Sequence, residues 1–217
     1  MNAGLKKYWL TAEFIILFFG IPLLLYFDSV IVHPSSVLIP LLAVILILLR
    51  YRTDFRWKDL VYLKITGKDI MKHLIILSSI FLFLLAIVLI FIPDRLFNLP
   101  RGSILIWILL SVFYPVFSAY AQEVIYRTFL FNRYSTLFTK PWMMILASAV
   151  AFSYVHIVYY STVSIILTFF GGLYLAKTYF DTRSVLLTSI LHGLMGDIVF
   201  AVGMGEFFWL DMYDYLG

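Results

Sequence analysis

The sequence predicts an all-α, polytopic transmembrane helix bundle of about seven spans, within a range of six to eight. Three observations carry that expectation. Hydrophobic residues make up 63% of the 217-residue chain and charged residues only 13%, about half the usual share of charge. The apolar residues run in stretches of about 20, the length that crosses a hydrocarbon core about 30 Å thick as a helix. The cations gather between alternate stretches, as membrane topology requires. So much apolar surface exceeds what one soluble core hides, and lipid takes the remainder.

The first stretch covers about 8–27. It follows Lys6 and Lys7 and carries Glu13; with no small-residue cleavage site behind it, it reads as an uncleaved span rather than a signal peptide. The second, about 30–49, is interrupted by Pro34 and Pro40, and its unbroken apolar run over 37–49 is short enough for a re-entrant segment. Residues 50–72 mix Phe55, Trp57, Leu60, Val61 and Leu63 with seven cations and read as a membrane-surface helix. The third span, 73–93, stops at Pro93. A long fourth helix starts near Ser103 and continues to about Tyr134. The fifth span is 141–160, the sixth 162–181 and the seventh 184–204. Gly171, Gly172 and Ala176 suit close helix approach, and Gly203 with Gly205 suit the end of the seventh helix. No repeat, low-complexity tract or linker divides the chain, so residues 1–217 read as a single membrane domain.

Of the sixteen Lys and Arg residues, fourteen fall on one side: Lys6, Lys7, seven within 50–72, Arg127, Arg133, Lys140, Lys177 and Arg183. Arg95 and Arg101 fall on the other, together with the acidic tail of Glu206, Asp211 and Asp214. This asymmetry predicts a cytoplasmic N-terminus, in the cytoplasmic (plasma) membrane if the cell is prokaryotic. It also accounts for the net charge of +4 through topology and anionic lipid, so no nucleic-acid partner is expected. The absence of cysteine excludes disulfides, thiolate metal sites and cysteine nucleophiles.

Ionisable residues at membrane depth cost at least ~2.5–3.5 kcal/mol each on insertion scales, so each needs a partner or a job. Five qualify: Glu13 in span one, Glu123 in span four, His156 in span five, and His192 with Asp197 in span seven. At about 1.5 Å per residue, Glu123 lies roughly 16 Å, His156 roughly 22 Å and His192 roughly 12 Å from the cytoplasmic end. Those depths allow the last three to meet in one polar pocket. Glu123 and Arg127, four residues apart, share a helix face and can pair, whereas Gln122 points about 100° away from Glu123. His192 and Asp197, five apart, do not share a face on a regular helix. Glu13 reads as a structural residue that snorkels towards the interface. Ser153, Ser161 and Ser164 have no paired base in sequence, which disfavours a serine nucleophile.

In order, Gln122-Glu123-Val-Ile-Tyr-Arg127, Phe152-Ser-Tyr-Val-His156 and His192-Gly-Leu-Met-Gly-Asp197 resemble the CAAX prenyl protease 2 and bacteriocin-processing (CPBP, or Abi) family of intramembrane endopeptidases. The family's pattern is Glu-Glu-xxx-Arg, Phe-xxx-His, and His-xxx-Asn or Asp. The likeness covers roughly residues 100–205, which would form the catalytic-type core. It implies that the first Glu and first His activate water, that the second His and the Asn or Asp hold the oxyanion, and that Arg127 braces Glu123. It implies catalytic roles for Glu123, His156, His192 and Asp197, with Gln122, Arg127 and Phe152 in support, and a membrane-associated peptide or protein as substrate.

Two positions depart from the pattern. Gln122 stands where the first Glu belongs, and an amide cannot take a proton from water at neutral pH. Asp197 stands one residue beyond the family position, which is Gly196; a bulge at Gly196 would turn it inward. Either Glu123 is the base of a variant site with Gln122 as a hydrogen-bonding helper, or the chain is a pseudo-protease that binds a membrane partner without cutting it. A proton-coupled transporter is a third reading, disfavoured by the lack of an inverted repeat. No HExxH or other tight ligand spacing is present, so no cofactor is expected; a divalent metal such as zinc on Glu123, His156 and His192 is the disfavoured alternative.

Overall fold

The computed structural model describes residues 3–27, 34–51 and 55–209. It is helical, with no strand among the described residues. Six helices are long and apolar enough to cross a membrane: α1 (Gly4–Phe27), α3 (Gly67–Phe91), α4 (Ile104–Arg133), α5 (Pro141–Tyr159), α6 (Thr162–Thr182) and α7 (Val185–Val202). Between the first two lies α2 (Pro34–Arg50), whose apolar part is shorter. The chain is an integral membrane protein. Large apolar side chains such as Phe83, Ile90 and Phe91 of α3 and Leu105, Val116 and Phe117 of α4 face outwards, where lipid rather than water receives them.

The ends of the helices follow from local chemistry. Thr66 and Asp69 form a reciprocal capping box at the start of α3, which satisfies two orphan N–H groups and starts the helix six residues before the expected 73. Ser103, Ser161 and Ser184 cap α4, α6 and α7 through their side chains, and Pro141 occupies the first turn of α5. Gly203 closes α7 with φ +109°. A Cβ there would also lie 2.0 Å from the Arg95 carbonyl oxygen, so this position needs glycine twice over.

Two expectations fail. Residues 50–72 do not form a surface helix: between Tyr51 and the start of α3 at Gly67, the described residues hold one 3₁₀ turn, Trp57–Leu60. The stretch is instead tied by backbone groups to the bundle, Leu60 C=O accepting from Tyr120 Oη at 3.0 Å and Tyr62 C=O from Ser184 Oγ at 2.6 Å. Those bonds satisfy its carbonyls without helix formation. Glu13 does not snorkel. It accepts a two-pronged bond from Arg133 at 2.7 and 2.6 Å and a third from Tyr134 at 3.0 Å, and so fastens α1 to the end of α4. Of the acidic tail, Asp211 and Asp214 lie outside the described residues, while Glu206 pairs with Arg95.

Helices α1 and α4 are not uniform. Turns of π-helix occupy Ile16–Gly20 in α1 and Tyr114–Ala119 and Val124–Phe129 in α4. Pro22 and Pro115 explain two of them, since each lacks the N–H that the carbonyl four residues earlier would receive, and the turn widens. Helices α5 and α6 pack closely through Gly172, where an added Cβ would meet Phe152 at 3.1 Å and the Ala149 Cα at 3.3 Å. The expected role of that glycine is borne out. Helix α7 packs on α3, α4 and α6.

The clamp on Glu13 is testable. Glu13→Gln loses the charge-assisted bonds and is expected to cost roughly 1–2 kcal/mol, read as a fall of several degrees in melting temperature in detergent micelles. An unchanged melting temperature would show that α1 is held by apolar packing alone.

Candidate active site

The centre of the bundle is built from α4, α5 and α7. Glu123 and Arg127, one turn apart on α4, are both fully buried. The Arg127 Nε lies 3.2 Å from Glu123 Oε2, an ion pair in distance without hydrogen-bond alignment. Arg127 is held further by Ser148 Oγ at 2.9 Å and by the Phe152 ring, 4.9 Å from its guanidinium carbon. Ser148 in turn donates to the Tyr126 carbonyl at 2.8 Å. A cation–π contact is worth most where water is excluded, as here.

The other oxygen of Glu123 meets α7. His192 Nδ1 lies 3.0 Å from Glu123 Oε1, and His192 Nε2 lies 3.0 Å from Tyr114 Oη. A carboxylate paired with Arg127 accepts, so Nδ1 carries a proton and donates. Arg127, Glu123, His192 and Tyr114 are therefore one chain of contacts. His156 belongs to α5, in its terminal 3₁₀ turn Val155–Tyr159. Its Nδ1 donates to the Phe152 carbonyl at 2.7 Å, which fixes the tautomer of the neutral ring and leaves Nε2 with a lone pair. Phe152 stands between the histidines, its ring centroid 4.9 Å from that of His156 and 5.2 Å from that of His192.

Two adjoining cavities open onto this arrangement. The larger, about 240 Å³, has Gln122, Ser118, Tyr114, His156 and Tyr159 among its polar side chains, and apolar walls from α1 and α2. The smaller, about 70 Å³, is bounded by His156, His192, Phe152, Tyr114 and Gly196 among others. Tyr114, His156, Phe200 and Phe208 border both.

Of the seven residues named from sequence, six fall around this chamber or directly behind it. Gln122 faces the larger cavity and receives no help from Glu123, which borders neither cavity. Asp197 is not brought into the group. Helix α7 stays regular through Gly196, so the expected bulge is absent, and the Asp197 carboxylate accepts from Ser111 of α4 instead. Among the described residues no group of three or more His, Cys, Asp or Glu gathers with metal-ligand geometry.

Tyr114 was not named from the sequence, yet a signal existed. Leu110, Tyr114, Ser118, Gln122 and Tyr126 recur every four residues, and all five line the larger cavity. On a regular α-helix such a stripe would drift by about 160° over its length; the wider π turns absorb the drift.

Residues 100–196 match the family model for the type II CAAX prenyl endopeptidase Rce1-like proteins. The match is a little under half of the chain and runs from the start of α4 into α7, the elements that carry the chamber's ionisable groups. It agrees with the resemblance carried by the three motifs and supports an intramembrane protease of the CAAX type. No curated protein and no solved structure matches the chain.

The buried pair has a direct consequence. Arg127→Met would leave the buried Glu123 without its guanidinium counter-ion and with only His192 as partner, at an expected cost of about 3–5 kcal/mol. The double variant Arg127→Met with Glu123→Gln should recover much of that loss. Melting temperatures of the wild type, single and double variants in detergent check this; equal losses in the single and double variants would mean the pair contributes nothing as a pair.

Proposed function

We propose that the chain is an intramembrane endopeptidase acting on a membrane-associated peptide or protein, with water activated by His156 rather than by a carboxylate. The observation that carries this reading is the His156 imidazole, tied back through Nδ1 to the Phe152 carbonyl and bordering both cavities. Its Nε2 is the free base in a water-excluding chamber.

In this mechanism Nε2 of His156 takes a proton from a water molecule while the water oxygen adds to the scissile carbonyl carbon. The carbonyl π electrons move onto its oxygen. His156 then returns the proton to the amide nitrogen as the carbon–nitrogen bond breaks, giving an acid and an amine. His192 faces the developing oxyanion. Glu123, buried behind it, is a positioning residue: it holds the Nδ1–H tautomer and the ring orientation, as the aspartate of a serine-protease triad does. Gln122 offers the water a hydrogen bond but takes no proton. Arg127 neutralises Glu123, and Phe152 spaces the two imidazoles. The distribution of cations supports a cytoplasmic N-terminus.

One observation favours a second reading, binding without cleavage. The side chain at position 122 lines the larger cavity, and there it is an amide where the family pattern has the catalytic Glu.

The two readings separate in liposomes with a panel of fluorogenic, membrane-anchored peptides. The wild type is expected to cleave, and His156→Ala to lower kcat by about 10²–10⁴-fold with its melting temperature kept. Gln122→Glu should raise kcat. Cleavage by His156→Ala at the wild-type rate would falsify the mechanism. A wild type that binds a peptide and cuts it only as Gln122→Glu would establish the binding reading.

A further inference from the structure

Helix α7 presents two glycines to α4. A Cβ on Gly193 would lie 2.7 Å from the Pro115 Cβ, and one on Gly196 would lie 2.4 Å from Cε1 of Tyr114. The Tyr114 ring therefore fills the space that a side chain at position 196 would need. Position 196 is where the family resemblance expects an Asn or Asp beside the second histidine. Asp197, the nearest carboxylate in sequence, is engaged with Ser111.

The Tyr114 hydroxyl occupies a chemically marked place. It lies 3.0 Å from His192 Nε2, and the residue borders both cavities. The ring is held from several sides: His192 and Phe200 meet it edge-on, at centroid distances of 5.9 and 5.6 Å, and the Gly196 face closes against it. The first π turn of α4 begins at Tyr114 itself, and the proline that widens the turn is the next residue.

We propose that Tyr114 is a further catalytic residue, its hydroxyl donating to the oxyanion in place of a side chain at position 196. This rests on the endopeptidase reading above. Nδ1–H of His192 donates to Glu123, so the phenolic O–H of Tyr114 meets the Nε2 lone pair. A carbonyl oxygen entering the chamber competes with that lone pair for the same O–H. When water adds to the carbonyl carbon, the negative charge formed on the oxygen makes it the stronger acceptor, and the O–H turns to it. No covalent bond to Tyr114 forms, and its proton stays on the phenol as the tetrahedral intermediate collapses. Preset donors of this kind act mainly on the transition state, so their loss appears in kcat more than in KM.

The test joins turnover to a readout that does not need it. Tyr114→Phe keeps the ring against Gly196 and removes only the donor. With the peptide panel, kcat is expected to fall by about 10²–10³-fold at nearly constant KM. In parallel, binding is measured for an apolar peptidyl trifluoromethyl ketone, which hydrates to a tetrahedral carbon, and for the matching secondary alcohol. Wild type should prefer the ketone at least about tenfold, and Tyr114→Phe should lose that preference while binding the alcohol as before. A second variant carrying 3,5-difluorotyrosine at 114, with a more acidic hydroxyl, should strengthen the preference. An undiminished kcat in Tyr114→Phe, a ketone preference that persists in it, or a wild type that shows none overturns the proposal. A wild type that prefers the ketone through Tyr114 yet cleaves nothing would sink the endopeptidase reading alone.

Discussion

A carboxylate and a guanidinium with no exposed surface, inside a bundle that lipid surrounds, set the terms for everything near them. Removing such ions from water costs several kcal/mol apiece, and only close partners return it. Glu123 and Arg127 face each other across one helical turn, but a single contact leaves most of their hydrogen-bonding capacity unused. Part of the rest is supplied from other helices: Ser148 and Phe152 of α5 for Arg127, His192 of α7 for Glu123, while Arg127 Nη2 finds no hydrogen-bond partner among the described residues. The need to satisfy one ion pair thus docks α5 and α7 onto α4. The same contacts bring two imidazoles edge-on against one phenylalanine ring. Fold and site have a common cause here.

The π turns decide which side chains serve the pair and which serve the chamber. Glu123 is the last residue of a single α-helical turn, with wide turns before and after it. In that register Glu123 points into the protein and Gln122 points into the larger cavity. A carboxylate committed to Arg127 and His192 is poorly placed to take a proton from water as well. The proposed mechanism therefore places the base on α5, at His156, whose Nδ1 is tied to the Phe152 carbonyl. Adjacent positions on one helix point in different directions, so Glu123 and Gln122 meet different surroundings.

The architecture was legible in the sequence because lipid imposes a coarse rule that apolar run length satisfies. All seven segments occur, and most boundaries agree to within a few residues. Departures arose where tertiary hydrogen bonds overrode composition, as at Tyr62 and Leu60, whose carbonyls are taken by Ser184 and Tyr120. Glu13 is structural, as its position suggested, but its partner Arg133 lies 120 residues away and no local pattern reveals the pairing. For the site, residue types and order pointed to the correct helices. They could not reveal side-chain direction, which depends on π turns that regular helical arithmetic ignores. Tyr114 was hidden twice, once by that arithmetic and once because its importance depends on what Gly196 lacks.

The chamber's two halves are constrained differently. Its ionisable groups all come from α4, α5 and α7 and lie within the stretch that matches the family model. Its far wall comes from Leu17, Ile21, Pro22 and Leu25 of α1 and from Val37, Leu38 and Leu41 of α2, outside that stretch. A group that must donate, accept or neutralise has few substitutes, and its spacing on the helix is fixed by its partners. An apolar wall tolerates many combinations of similar volume. It follows that the motifs can be read from sequence while the wall cannot, although the wall bounds one side of the larger cavity. The Glu13–Arg133 clamp connects the two halves, because it fixes the helix that bears the wall to the end of the helix that bears Gln122, Glu123 and Tyr114. A change in α1 would therefore be felt at the chemistry through α4, without any residue of α1 touching a reacting atom.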